Sequence, residues 1–108
     1  MKKPILFISG PMTNLPNKNR DNFNFVASYA EDIGFIVLNP SILPDGLRFS
    51  SYMPICLAML NGADFLFALP DSNTVGALTE QNFAHSQGIP IIHSLQELEE
   101  TYHAYMAE

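Results

Sequence analysis

Four short apolar runs alternate along the chain with four longer stretches in which apolar residues return every three or four positions. Ile5, Leu6, Phe7 and Ile8 make the first run, which stops at Ser9-Gly10-Pro11. An unbroken run of this length fits a strand buried on both faces rather than one with a wet side. Between residues 19 and 33, Phe23, Val26, Ala27, Ala30 and Ile33 follow helical spacing, and Gly34 ends the pattern. Residues 35–38 read as a second strand, closed by Asn39-Pro40, and residues 40–50, with two prolines and a glycine, read as a loop. Met53, Cys56, Leu57 and Leu60 form the next helical stripe, with Ser50 or Ser51 available as its cap and Asn61-Gly62 at its end. A third strand follows over 65–69, a loop over 70–75 and a helix over 76–87 that Gly88 stops. Residues 89–92 make a fourth strand, whose Pro90 favours a sheet edge. Ser94-Leu95-Gln96-Glu97 has the form of a capping box, and Leu95, Leu98, Tyr102 and Tyr105 supply the buried side of the last helix.

The pattern is therefore β-α repeated four times, with no internal repeat or linker to divide it, and it predicts a single domain over 1–108. Strands joined by helical crossovers run parallel, and right-handed crossovers place helices on both faces of one sheet. Such α/β sheets bind ligands beyond the carboxyl ends of their strands, near the point where strand order reverses. Residues 9–14, Asn39 onward and 70–80 are the places to search.

Composition narrows the chemistry. One cysteine excludes a disulfide framework, and the absence of any Cys/His cluster predicts no bound metal. No cofactor is expected either. Net charge is −6 with only five Lys and Arg, which disfavours a grip on nucleic acid polymers. The apolar runs are too short to span a bilayer, so no membrane is expected. Met1-Lys2-Lys3 followed by residues 4–8 faintly resembles a secretion signal. Its apolar stretch is too short and no small-residue cleavage site follows, so a first strand and a cytoplasmic location are the expectation.

The loop after the first strand, Ser9 to Asn14, combines glycine and proline in a sharp turn that leaves N–H groups free for an anion or a sugar. It has neither the glycines of a dinucleotide fingerprint nor the Gly-Lys-Ser/Thr of a P-loop, and an ordinary turn explains it equally well. Glu80 is more informative, because its neighbours at helical spacing, Ala77, Phe83 and Ala84, form an apolar stripe while Thr79, Asn82, His85 and Ser86 look outward. A carboxylate that breaks such a stripe marks a functional site, unless it lies at the stripe's edge and reaches solvent. Asp71, Ser72, Asn73 and Thr74 are either helix-capping residues or, with the N–H groups of Val75 to Ala77, a phosphate cradle. Arg20 suits phosphate recognition or a solvated surface, and Asp64 suits a turn at the start of the third strand. His85, His93 and His103 show no ligand spacing, and Cys56 sits on an apolar stripe as core.

Taken together, residues 7–13 (FISGPMT), Asn19-Arg20 with Phe23-Asn24, Asn39-Pro40, Tyr52-Met53, Ala63-Asp64 and residues 74–80 (TVGALTE) resemble the nucleoside 2-deoxyribosyltransferase-like superfamily, in particular its short bacterial and phage branch. The resemblance implies a flavodoxin-like three-layer sandwich around a four- or five-stranded parallel sheet. It also implies a pocket that cleaves or exchanges the N-glycosidic bond of a nucleoside or nucleotide. Glu80 would attack the anomeric carbon, as in a retaining glycosidase, and water or another base would resolve the glycosyl-enzyme. Thr74 stands where the transferases carry an Asp, which tilts the expectation toward hydrolysis of a nucleoside 5′-monophosphate. Ser9, Gly10, Pro11, Met12, Arg20, Asn39, Asp64, Ser72, Thr74 and Gly76 are the residues expected around the substrate, with Ser9, Arg20, Ser72 and Thr74 toward the phosphate. Two positions depart from the pattern: Phe7 replaces a Tyr that touches the catalytic Glu, and Cys56 replaces an Asp before Leu57. Those departures motivate an alternative, a nucleotide-binding or sequestering protein without turnover, and a deoxyribosyltransferase proper is a further one. The resemblance implies a homodimer or higher homo-oligomer, for which Tyr102, Tyr105 and Met106 offer apolar material.

Overall fold

The computed structural model describes residues 2–108. Met1, the first residue of the expected 1–108 domain, lies outside the described residues. The strands are β1 (Ile5–Ser9), β2 (Ile36–Leu38), β3 (Phe65–Ala68) and β4 (Ile91–Ile92). The helices are α1 (Arg20–Ile33), α2 (Phe49–Asn61), α3 (Val75–Ser86) and α4 (Leu95–Met106). All strand pairs are parallel and the order is β2-β1-β3-β4, so Pro90 precedes an edge strand. The sheet has four strands among the described residues, the smaller of the two expected numbers.

Because side chains alternate across a strand, β1 serves two cores at once. Leu6 and Ile8 pack with Phe23, Val26, Ala27 and Ala30 of α1 and with Leu98 of α4. Phe7 points the other way and packs with Met53, Cys56 and Leu60 of α2 and Ala84 of α3. The same alternation splits β3 and its continuation, with Phe67 and Leu69 on the first face and Leu66 and Ala68 on the second.

Several element ends differ from the periodicity. Helix α2 begins at Phe49 rather than after Ser50 or Ser51, since the N–H groups of Ser51 and Tyr52 both close on the Arg48 carbonyl at 2.9 Å. A left-handed turn over Pro16–Asn19 and a short 3-10 turn over Pro40–Ile42 each begin at a proline, in structure that apolar spacing does not register. The cap of α4 is built as expected on one side: the N–H of Glu97 donates to Ser94 Oγ at 3.1 Å. Its return bond goes one residue further back, from the His93 N–H to Glu97 Oε1 at 2.8 Å. Of the side expected to be buried on α4, only Leu98 is buried; Tyr102 and Tyr105 are half-buried and pack on Phe35 and Phe65, with ring centroids 5.3 and 5.9 Å away. Gly34 is fixed twice over, by a φ of 135° and by the Tyr102 hydroxyl 2.3 Å from where a Cβ would stand.

The chain leaves β1 toward β2 and then crosses back to place β3 on the other side of β1. Strand order thus reverses between β1 and β3, whose carboxyl ends are joined by the Leu69 N–H donating to the Ser9 carbonyl at 2.8 Å.

Candidate active site

A cavity of about 440 Å³ opens at that reversal, with Glu80 at its base. Gly10, Met12, Tyr52, Met53, Thr74 and Gly76 line it, and its outer wall is made by Lys18, Arg20 and the loop 43–47. Thr74 is the N-cap of α3, its Oγ1 accepting from the Ala77 N–H at 3.3 Å. The next two N–H groups, of Val75 and Gly76, have no acceptor within the helix and lie at its positive end beside the cavity.

Glu80 is one and a half turns into α3 and faces inward with Ala77 and Ala84; it is 4% exposed. Ser9 Oγ donates to Glu80 Oε1 at 2.6 Å. Burial pushes the Glu80 carboxyl up to about 7, against the pull of Ser9 first and then of the neighbouring Cys56 thiol, which favour the ionised form. Cys56 is pushed up to about 12, first by burial and then by the charge of Glu80, so it stays a thiol. The Tyr52 phenol is likewise raised, mainly by burial, and its hydroxyl donates to Met12 Sδ at 3.2 Å beside Cys56. A protonation-sensitive carboxylate and a phenol therefore line one open cavity, with Ser9 buried behind the carboxylate.

Gly10 is required here by close approach. A Cβ at that position would stand 2.7 Å from Leu69 Cδ1 and 2.8 Å from Leu69 Cβ. The glycine lets the loop after β1 lie directly against the end of β3, which closes one side of the cavity.

The structure brings Gly10, Met12, Arg20, Thr74, Gly76 and Glu80 together around the cavity. Ser9, expected toward a phosphate, is instead fully buried and engaged with Glu80. Being two residues beyond Phe7, it shares that residue's face of the sheet, and supplies the hydroxyl contact that Phe7 lacks. Phe7 is wholly core. Cys56 is buried as expected, in the core cluster that holds Phe7. Pro11 borders a neighbouring groove on the α1 side, and its carbonyl accepts from Asn19 Nδ2 at 2.8 Å. Asn39 stays outside the cavity wall: its Oδ1 accepts from the Ser41 N–H and its Nδ2 donates to Asn24 Oδ1, both at 3.0 Å. Ser72 is turned back onto the Leu69 carbonyl, holding the loop rather than facing the cavity. Asp64 is a correction. It precedes β3 and accepts from the Ile5 N–H at 2.8 Å, at the amino ends of the strands, the opposite edge of a parallel sheet from the cavity. Tyr52, Lys18 and Asp45 are site residues to which the sequence pattern assigns no role. Tyr52 carried a usable signal, since it lies four residues before Cys56 and so on the same helix face. Lys18 and Asp45 lie in aperiodic loops and carried none.

A four-stranded parallel sheet with helices on both faces, its strand order reversing at the cavity, defines the class by its architecture. Two solved structures share that fold. One is a 2-deoxyribosyltransferase from the psychrotolerant bacterium Bacillus psychrosaccharolyticus, described as a biocatalyst for the synthesis of antiviral and antitumoral nucleosides. It superposes with a TM-score of 0.64 at 16% identity, over 81% of this chain and 69% of that one. The other is a 2-deoxyribosyltransferase from Leishmania mexicana, with a TM-score of 0.68 at 16% identity, over 83% of this chain and 63% of that one. The match thus spans about two-thirds of the length of each enzyme, and the likeness is one of fold. A comparison with curated proteins finds none that matches. The chain belongs to the DUF4406 family, a domain of unknown function, whose model matches residues 4–93. The resemblance read from the motifs is therefore borne out in the fold.

Proposed function

We propose that this protein cleaves the base–sugar bond of a nucleoside 5′-monophosphate, with Glu80 as nucleophile. The observation that carries the reading is Glu80 itself: a carboxylate 4% exposed, held by Ser9 at 2.6 Å, at the base of a cavity of about 440 Å³. A carboxylate held in fixed orientation meets an oxocarbenium-like centre without reorganisation, and its attack divides one hard step into two. In the first step a Glu80 oxygen bonds to the anomeric carbon as the carbon–nitrogen bond breaks, and the base departs with the bonding pair and takes up a proton from solvent. In the second, water attacks the same carbon and gives up a proton to solvent, the ester bond to Glu80 breaks, and the sugar phosphate leaves. Ser9 orients the carboxylate throughout and stabilises its charge when it is expelled.

Two features support a phosphorylated substrate. Thr74 places a hydroxyl, not a carboxylate, at the α3 N-terminus, where the N–H groups of Val75 and Gly76 favour an anion. Lys18 and Arg20 line the same cavity.

The test is chromatographic detection of free base from a panel of nucleosides and 5′-monophosphates, for the native chain and Glu80→Gln. Release from a monophosphate is expected, with the variant slower by on the order of 10³-fold or more. Equal release by the variant removes Glu80 from the role. Monophosphate binding with no release from any member overturns the glycosidase reading.

A further inference from the structure

We infer that Asp45 is a resident stand-in for the substrate phosphate and sets how strongly the cavity distinguishes a nucleotide from a neutral nucleoside. The inference rests on the reading above and adds a specificity residue to it. Lys18 and Arg20 are the cationic side chains lining the cavity, and one carboxylate holds both. Asp45 Oδ1 lies 2.5 Å from Arg20 Nη2 and 3.1 Å from Lys18 Nζ. Residues two apart on a continuing helix point away from each other. Here Asn17, Lys18 and Asn19 take φ values of 49°, 53° and 63°, a left-handed run ahead of α1 that turns both cations toward one point. Asparagine enters that conformation readily, and Lys18, between two asparagines, is the residue held there by its surroundings.

The arrangement is built for exchange. Arg20 is anchored independently, its Nε donating to the Ser41 carbonyl at 3.1 Å and its Nη1 to Asn17 Oδ1 at 3.5 Å. Its Nη2 can therefore trade one acceptor for another without moving the guanidinium. Asp45 and Lys18 are 64% and 51% exposed, and Asp45 belongs to the cavity-lining loop whose Gly46 has a φ of 90°. A phosphate monoester carries up to two negative charges against one on Asp45, and offers three oxygens to the same two cations. It displaces the carboxylate, whereas a neutral nucleoside leaves the ion pairs intact. The carboxyl of Asp45 is held below its ordinary range, first by its bond to Arg20, so Asp45 is a charged competitor.

The test is calorimetric titration of the native chain and Asp45→Asn with a nucleoside 5′-monophosphate, ribose 5-phosphate and the matching nucleoside, with melting temperatures to show that both proteins are folded. Removing the competitor is expected to tighten both phosphorylated ligands roughly fivefold, the scale of exposed ion pairs, and to leave the nucleoside unchanged. Unchanged or weaker phosphate binding by Asp45→Asn overturns the inference, as does an equal gain for the nucleoside, or no binding of a phosphorylated ligand by either protein. Normal base release with no effect of Asp45→Asn counts against this inference alone. A selective gain in phosphate affinity without base release counts against the glycosidase reading alone.

Discussion

At Glu80, burial and hydrogen bonding act in opposite directions, and burial wins. Burial raises the folded carboxyl from its ordinary 4.5 to about 7, so between those values the folded chain binds more protons than the unfolded one. Its contribution to stability is fully present below about 4.5 and is lost as pH rises through about 7, at most about 3 kcal/mol. Glu80→Gln removes this titration. Relative to the native chain, the variant is expected to gain up to about 3 kcal/mol between pH 4.5 and pH 8 in urea unfolding. A stability difference equal at both pH values would show that the carboxylate is not desolvated. The same titration predicts base release rising with pH through about 7, because only the ionised form is nucleophilic. Ser9→Ala removes a donor to that form, so the rising limb of kcat/KM should move up by about one pH unit. At this scale the sequence was partly legible. Glu80 stood out because every neighbour on its helix stripe is apolar, but its contact with Ser9, 71 residues away, depends on the crossover that sets α3 against β1. Lys18 and Asp45 meet across two aperiodic loops, for which residue spacing offers no measure of distance.

Among the elements, the four strands follow from unbroken apolar runs and the four helices from the 3.6-residue period, and their ends shift by one or two residues. Where the reading failed, position along a parallel strand decided the matter. Asp64 stands before β3, and only carboxyl ends of the strands reach the cavity. Asn39 and Ser72 do lie at carboxyl ends, yet their short polar side chains bond the adjacent backbone instead. Gly10 shows how closely the elements meet at the site. Gly10→Ala would set a methyl group 2.8 Å from Leu69 Cβ, an atom that cannot swing aside. A loss of about 1–3 kcal/mol in urea unfolding is expected, together with weaker ligand binding as the loop after β1 is pushed from β3. Unchanged stability would mean that the two loops are not held in contact.

For the whole molecule, strand order β2-β1-β3-β4 does most of the work of placing a site. It brings the ends of β1 and β3 side by side, and α3, packed against them, delivers Glu80 beneath the gap. No helix among the described residues is long and apolar enough to cross a membrane. The acidic balance of the chain, five Lys and Arg against eleven Asp and Glu, suits a small ligand met by N–H groups, hydroxyls and two cations. What the account claims at its centre is a covalent bond between Glu80 and the sugar. The direct measurement is intact-mass and peptide mass spectrometry of the protein quenched during turnover of a nucleoside 5′-monophosphate. The account predicts an adduct with the mass of the sugar phosphate on the peptide that contains Glu80, absent from Glu80→Gln. Base release that proceeds equally in both proteins, with no adduct on that peptide, would contradict it.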